Sequence, residues 1–405
     1  MIGFALWPLV ALASISPLQT SAASASTGTL NYAAMAARII GALKLREGER
    51  VLIRYDPEYF NELIGPLRRQ IRARGAIDLG ALEYVESSAI RDTTSSGEAK
   101  RAALFEAQSR AFAQLLEAVE VYLWLPLRAG WRELPAAESH ALQRWLDKGG
   151  ARRQIHFHWS AGSVLADGLA GEHVAALDSV YQEALDINYA ALSTVQDRAI
   201  ALLRSGTVRV RTPLGTDLSF RTGNRPFNKQ NGEASNKQNG EASPERAQAA
   251  VVRLDREIEL PAGVLRVAPL EETVNGRIVI PTARFGDKVV RQLKLEINRG
   301  HVVRLAADEN LSVVEAALNA GGEAARRFRE LGIGFNPRLH TTSYTALLPY
   351  YGYGAGVVRL SLGDNRELGG TVAGDFVRWF FFPDATVEVD GRILVREGKL
   401  VDGAR

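Results

Sequence analysis

The stretch LREGERVLIRY at residues 45–55 decides the fold of the first half of the chain. Its polar half has the composition of a turn, and its apolar half, Val51–Tyr55, has that of a buried strand. An alanine-rich helical pattern precedes it at 32–45, and an amphipathic helical pattern follows it. This alternation of helix and strand is typical of a parallel sheet with covering helices.

The same alternation continues to about residue 160. The apolar run Val121–Leu125 is typical of a strand that is buried on both faces. No glycine-rich phosphate loop follows these strands, so the sequence gives little support for nucleotide binding. We therefore predict an α/β domain with a Rossmann-like parallel sheet at 30–205, ending in one long helix at 178–204. Further strands are expected at 79–84 and 154–159, and further helices at 98–117 and 136–148.

Beyond residue 205 the pattern changes to short strands in which polar and apolar residues alternate, as in TVRVR at 207–211. We predict a strand-rich α+β domain at 206–405. The octapeptide NKQNGEAS occurs at 228–235 and is repeated unchanged at 236–243. Because surface loops tolerate added length, this duplication indicates an inserted, exposed loop at 226–245.

The composition is that of a folded protein, with 405 residues of which 46% are hydrophobic and 23% charged. A formal net charge of +3 over this length is a weak field, so we expect no nucleic-acid partner. The absence of cysteine excludes disulfides, thiolate nucleophiles, iron–sulfur clusters and cysteine-ligated zinc. Six histidines remain as possible nitrogen ligands for a metal.

The first 25 residues resemble an export signal. An apolar stretch at 2–12 is too short to span a bilayer, and Ala23-Ser24-Ala25 fits the small-residue cleavage rule. A basic segment before the apolar stretch is missing, and a misassigned start or an unstructured leader is the alternative. We predict a signal peptide at 1–25, a periplasmic or extracellular location, and no integral membrane segment after cleavage.

A series of short motifs extends over most of the chain after residue 45. They are LREGERVLI at 45–53, TPLGTDL at 212–218, NRP at 224–226, PAGV at 261–264, ELGIGFNP at 330–337, GVVRLSLG at 356–363, VRWF at 377–380 and VDGR at 389–392. Their composition and order resemble those of the thermophilic metallo-aminopeptidase family, the aminopeptidase T-like proteins. The resemblance implies an α/β domain, a strand-rich domain with a two-metal centre, and a homodimer. It also implies hydrolysis of N-terminal residues from peptides, or, in a related branch, oxidative ring opening at a simpler metal site.

The metal-ligand positions that the resemblance implies are largely substituted in this chain. Only Glu330 keeps a ligand-type side chain; the other positions hold Val264, Arg359, Arg366, Arg378 and Phe380. Arginine stays cationic and has no lone pair to donate to a metal. We therefore expect no metal cofactor, and a protein that is inactive as a peptidase of the family type.

The resemblance implies that the positions of Arg359, Arg378 and Glu330 face inward. Their side chains must then pair, because an unpaired buried charge is costly. We predict a salt bridge from Glu330 to Arg359, to Arg378 or to both. A spare guanidinium would then bind a carboxylate or a phosphate, so the expected partner is a peptide terminus or a small anionic ligand. Considered one at a time, Arg359 and Arg378 are also compatible with strand positions that face solvent.

Two alternatives remain open at this point. In the first alternative, the chain is an active hydrolase with zinc, manganese or cobalt in a rebuilt site. In the second, it is a structural or partner-binding protein that keeps only the fold. The candidate replacement ligands are His340, Glu271, Glu272 and Asp375. His156 and His158 share one strand face, a spacing that metal sites use, but no third ligand is evident.

Overall fold

The computed structural model describes residues 30–55, 60–83, 95–125, 136–157, 176–234, 256–340 and 352–401. The predicted signal peptide at 1–25, the second octapeptide copy at 236–243 and His158 lie outside these ranges. No helix among the described residues is both long enough and apolar enough to cross a membrane.

The first half forms the predicted α/β domain, in which every strand of one sheet runs parallel to its neighbours. Its strand order is β2-β1-β3-β4-β8. The fold class expected from the alternating pattern is confirmed. The elements are α1 (Tyr32–Leu43), β1 (Arg50–Tyr55), α2 (Asn61–Ala73), β2 (Ile77–Glu83), α3 (Ser95–Glu117), β3 (Val121–Trp124), α4 (Ala136–Asp147), β4 (Arg153–Phe157) and β8 (Glu257–Leu260).

The single long helix predicted at 178–204 is instead two helices, α5 (Ala176–Leu185) and α6 (Tyr189–Arg204). The break has a local cause, because Asn188 is the N-cap of α6 and its side chain accepts a hydrogen bond from the Ala191 N–H. Asparagine favours this capping position over a helix interior. The apolar spacing continues across the break, which is why periodicity alone did not reveal it.

The strand β8 belongs by sequence to the second half but pairs with β4 as the fifth strand of the parallel sheet. Only three residues, 261–263, separate it from β9 (Val264–Val267), which lies in a different sheet. The chain therefore crosses between the two halves at this point. Side chains at the end of β8 and at the start of β9 are brought to the junction of the two domains.

The described part of the first octapeptide copy, residues 228–234, is not an exposed loop. It begins in β7 (Phe227–Lys229), which pairs with β9, and its Asn228 and Gln230 side chains are buried. Gln230 donates a hydrogen bond to the Glu257 carbonyl oxygen, and its side-chain oxygen accepts one from the Glu259 N–H. The polar side chain of Gln230 therefore serves internal hydrogen bonds rather than solvent exposure.

The second half forms two antiparallel sheets, which confirms the predicted strand-rich domain. One has the order β12-β11-β10-β6-β5-β16-β17-β18 and the other the order β15-β14-β13-β9-β7. Helices at Leu311–Ala320 and Gly322–Ala325 lie between β12 and β13. The remaining strands are β5 (Thr207–Arg211), β6 (Asp217–Arg221), β10 (Asn275–Phe285), β11 (Lys288–Asn298), β12 (His301–Ala306), β13 (Phe328–Gly334), β14 (Val358–Gly363), β15 (Val377–Phe382), β16 (Thr386–Val389), β17 (Arg392–Arg396) and β18 (Lys399–Leu400).

Two of the sequence motifs meet where β9 begins. Gly263 has φ +145°, and a Cβ atom there would lie 2.6 Å from the Cβ of Asn336. The Asn336 side chain donates hydrogen bonds to the carbonyl oxygens of Ala184 and Ala262. The glycine is therefore required by close approach, and the asparagine ties the end of α5 to the crossing between the sheets.

Candidate functional site

Three positions that the resemblance assigns to a metal centre lie on one face of the β7-to-β15 sheet. Glu330 pairs with Ser361, Gly332 pairs with Arg359, and Gly334 pairs with Val264. Paired residues of neighbouring strands project to the same face, and so do residues two apart on one strand. Val264, Glu330 and Arg359 are accordingly brought together, as the sequence predicts for Glu330 and Arg359.

Glu330 is completely buried and is held by three guanidinium groups. Its Oε2 lies 2.8 Å from Arg266 Nη2 and 2.5 Å from Arg329 Nη1. Its Oε1 lies 3.0 Å from Arg359 Nη2. The three arginine side chains are at most 9% exposed. The predicted salt bridge between Glu330 and Arg359 is therefore present, with two further arginines added.

A second carboxylate, that of Glu367, completes this group of charged side chains. Glu367 Oε1 accepts hydrogen bonds from Arg266 and Arg329, and its side chain is 36% exposed. We call Arg266, Arg329, Arg359, Glu330 and Glu367 the ion cluster. It is buried at Glu330 and reaches solvent at Glu367, and its members carry three positive and two negative charges.

Two local features of the backbone, a register shift and a glycine, make room for the side chains of the ion cluster. The register between β13 and β14 shifts between Phe328 and Glu330, and such a bulge lets the adjacent Arg329 and Glu330 both enter the cluster. Gly332 lies between Arg266 and Arg359 on the neighbouring strands, and a Cβ there would approach Arg359 Nε to 3.1 Å. Glycine at this position leaves space for the guanidinium.

The charges of the cluster keep its carboxylates ionised. Burial alone would raise the pKa of Glu330, but the charges of Arg266, Arg329 and Arg359 outweigh it and bring that pKa to about 2. The pKa of Glu367 is also lowered, because two of these guanidinium groups outweigh the effect of burial there. With both carboxylates ionised at neutral pH, these five side chains carry three positive and two negative charges.

Arg378 lies on the opposite face of the sheet. It pairs with Leu362 and Phe380 pairs with Leu360, so both project away from Glu330. The Arg378 guanidinium donates to the Arg284 carbonyl oxygen and lies 4.3 Å from the centroid of the Phe285 ring. It borders a cleft of about 390 Å³ that is lined mainly by apolar side chains. The structure therefore brings Arg359, but not Arg378, to Glu330.

Trp379 and Phe381 of β15 project to the same face of the sheet as the cluster. Phe381 pairs with Arg359 and Trp379 pairs with Ser361. The Arg359 guanidinium carbon lies 5.6 Å from the centroid of the Trp379 ring. An aromatic wall therefore covers the β15 side of the cluster and favours retention of the arginine charge.

The remaining predicted site residues lie apart from Glu330. Arg366 pairs with Asp364, and Glu271 pairs with Arg225 while also accepting hydrogen bonds from Asn365 and Thr371. Glu272 borders a depression of about 440 Å³ that neither Glu330 nor Arg359 lines. His340 is exposed, with Nδ1 2.6 Å from the Ala355 carbonyl oxygen, and Asp375 is exposed.

His156 is half-buried beside Trp124, with the two ring centroids 4.1 Å apart. Burial lowers the pKa of His156 to about 3, so its imidazole is neutral at physiological pH. The predicted partner His158 lies outside the described residues. The aromatic stack accounts for His156 without a metal.

A carboxyl group that sequence reasoning missed lies at the end of β8. Glu259 is 7% exposed, and its Oε2 is buried without a hydrogen bond from any described residue. Burial, together with the charge of Glu257, raises the pKa of Glu259 to about 8, against an opposing effect of Arg266 and Arg359. The raised pKa favours the protonated form of Glu259 at neutral pH.

Arg266, Arg329 and Glu367 were also missed. A sequence signal for two of them exists, because Arg266 interrupts the otherwise apolar strand VLRV and Arg329 directly precedes Glu330 in FRELGIG. Charged residues in runs that are buried throughout must pair. Glu367 carried no such signal, because it follows β14 in a polar turn.

These residues do not fit the divalent metal centre that the family resemblance implies. The one surviving carboxylate is already occupied by three guanidinium groups, which repel a cation. Among the described ranges, no three His, Asp or Glu side chains are grouped as a metal site requires.

The architecture matches solved structures over almost the whole chain. AmpT from Thermus thermophilus is 18% identical, with a TM-score of 0.59 over 92% of this chain and 99% of that one. The 2,5-dihydroxypyridine dioxygenase from Pseudomonas putida KT2440 is 16% identical, with a TM-score of 0.58 over 93% of this chain and 100% of that one. No protein-family model matches the sequence, and no curated protein matches it significantly. At these identities the likeness concerns the fold alone, and the chain has an aminopeptidase-like fold.

Proposed function

We propose that this chain is an exported protein of aminopeptidase-like fold in which a buried ion cluster stands at the position of a metal centre. It does not hydrolyse peptides by a metal-dependent route, and it binds a small anion, such as a carboxylate, at the cluster. The observation that carries the proposal is the pairing of Glu330 with Arg266, Arg329 and Arg359. The apolar leader at 2–12 supports export.

The charge and the hydrogen-bonding groups of the cluster favour an anion over a cation. Three arginines face two ionised glutamates, so the positive charges among these five side chains outnumber the negative ones. On the same face, Ser361 Oγ is fully buried and receives no hydrogen bond from the described residues. Guanidinium and hydroxyl groups are donors that suit a carboxylate.

The first test is the metal content of the purified protein. After incubation with zinc, manganese or cobalt and dialysis, we expect far less than one bound ion per chain, because the arginine charges oppose binding. Elemental analysis by mass spectrometry gives the measurement. Stoichiometric metal that survives dialysis would contradict the proposal and favour a rebuilt hydrolase site around such residues as Glu271, Glu272, His340 and Asp375.

The second test is acetate binding by calorimetry in a chloride-free buffer. We expect saturable binding to the full-length protein, at least tenfold weaker in Arg359→Lys, because lysine keeps the charge but loses the planar pair of donors. Arg378→Gln is the matched control, since Arg378 lies on the other face of the same sheet, and its affinity should equal that of the wild type. Absence of wild-type binding, or equal losses in both variants, would contradict the proposed site.

A further inference from the structure

A depression of about 440 Å³ lies where the turn between β11 and β12 meets the short helical turn Glu271–Thr273. Hydrogen bonds join the two turns. The Arg299 N–H donates to the Asn275 side-chain oxygen over 3.0 Å, and the Gly300 N–H donates to the Val274 carbonyl oxygen over 2.9 Å. The depression is therefore a fixed part of the fold, and no residue of the ion cluster lines it.

Two guanidinium groups, those of Arg299 and Arg327, line the depression. Arg327 Nη1 lies 2.6 Å from His301 Nε2. Because arginine only donates, His301 Nε2 accepts this hydrogen bond, and the arrangement fixes the Arg327 side chain. Arg327 Nη1 lies 3.9 Å from the Glu323 carboxylate, which is beyond hydrogen-bond distance. Among the described residues, neither arginine donates a hydrogen bond to a carboxylate.

Arg299 stands at a turn position that does not favour arginine. It has φ +48° and is followed by Gly300 with φ +78°, so both central residues of this two-residue hairpin turn have positive φ. Such turns favour Asn-Gly, because asparagine adopts positive φ more readily than residues with long side chains. The backbone of the turn gives no reason for arginine, whereas its side chain brings a cation to the depression.

The depression also contains one carboxylate without a partner and one exposed apolar side chain. Glu272 is exposed, and its carboxylate forms no ion pair or hydrogen bond with the part of the chain that the structure describes. The carboxylate of its neighbour Glu271 is already held by Arg225 and Thr371. Val303 is 60% exposed and lines the same depression. The available groups are thus two cations, one anion and one small apolar surface.

We infer that this depression binds an α-amino acid as a zwitterion. Arg299 and Arg327 bind its carboxylate, Glu272 binds its ammonium group, and Val303 contacts an apolar side chain of the ligand. A plain anion would meet the charge of Glu272, and a plain cation would meet two guanidinium groups. A zwitterion pairs with both kinds of group at once, and guanidinium groups suit a carboxylate. The volume lies within the range of small-molecule sites.

The test titrates the full-length protein with L-valine at neutral pH and measures binding by calorimetry. We expect saturable binding, because L-valine carries both charged groups and a small apolar side chain. Isobutylamine lacks the carboxylate and isovalerate lacks the ammonium group, so as competitors each should have an inhibition constant at least about tenfold above the Kd of L-valine. Absence of saturable L-valine binding would overturn the inference. Isovalerate that competes as well as L-valine binds would indicate a plain anion site and would also overturn it.

Arg299→Asn separates binding from folding. Asparagine suits the positive φ at this position, so the variant should unfold at the wild-type temperature or above it, while L-valine binds about tenfold more weakly without the guanidinium. Glu272→Gln should weaken binding to a similar extent, because the amide lacks the charge that pairs with ammonium. Arg304→Asn is the matched control, since Arg304 is an exposed arginine of β12 that does not line the depression. Its affinity for L-valine should equal that of the wild type.

Arg359→Lys distinguishes this inference from the function proposed for the ion cluster. L-valine binding should be unchanged in this variant, because Arg359 does not line the depression. A loss of L-valine affinity in Arg359→Lys would place the ligand at the ion cluster and overturn the inference, as would equal losses in Arg299→Asn and Arg304→Asn. Absence of acetate binding together with intact L-valine binding would remove the anion site and support the amino-acid site.

Discussion

Glu330→Gln should lower the free energy of unfolding by about 3–5 kcal/mol, the usual cost of removing one partner from a buried ion pair. The amide keeps the shape of the side chain but removes the charge that Arg266, Arg329 and Arg359 share. Glu367 alone would remain to balance three buried guanidinium groups. Urea unfolding followed by circular dichroism measures the loss, and a poor yield of soluble variant would agree with it.

Asp217→Asn is the matched control for this substitution. Asp217 forms a two-point ion pair with Arg209, in which both side chains are more than 40% exposed. An exposed pair of this kind contributes about 1 kcal/mol or less, because water solvates both groups when the pair is broken. Equal effects of Glu330→Gln and Asp217→Asn would mean that the ion cluster is not a buried, mutually dependent unit.

Glu259→Gln should have the opposite effect and stabilise the protein at pH 8 by roughly 3–5 kcal/mol relative to the wild type. The pKa of Glu259 is about 8 in the folded protein, against an ordinary value of 4.5. Between these values the unfolded chain has lost the proton that the folded chain retains. Folding must then take up a proton, and wild-type stability falls as pH rises from about 4.5 to 8.

The stabilising effect of Glu259→Gln should vanish at low pH. Glu259 is then protonated in both the folded and the unfolded state, and its carboxylic acid resembles the amide. Unfolding free energies measured by urea at pH 4, 6 and 8 should therefore show a difference that grows with pH. Glu296→Gln serves as the control, because Glu296 is an exposed glutamate of β11 that lies outside the ion cluster. A constant difference between wild type and Glu259→Gln across this range would mean that Glu259 ionises normally.

Much of the fold was predictable from the sequence because local patterns express it directly. The apolar runs at 51–55 and 121–125 alternate with amphipathic helical segments, and this alternation already specifies parallel strands. Two errors came from features with a weak local signal. The break at Asn188 interrupts a continuing apolar stripe, and the duplicated octapeptide looks like surface chain although its first copy packs beside β9.

The candidate site was predictable only in part. The resemblance implied that Glu330, Arg359 and Arg378 face inward, and a bridge from Glu330 to one or both arginines was expected because a buried charge demands a partner. Arg359 forms this bridge, whereas Arg378 lies on the other face of the sheet. Arg266 and Arg329 stood in apolar strands and could have been added on the same ground. Glu367 could not, since it joins the cluster from a turn that follows β14.

The sequence by itself determined the type of each half and predicted that Glu330 needs a cationic partner. Tertiary structure alone decided which arginines meet it. Side chains alternate between the two faces of a strand, so a shift of one residue in β15 exchanges Arg378 for Trp379 at the cluster. Register depends on pairing between strands that are far apart in sequence, and for that reason no local pattern encodes it.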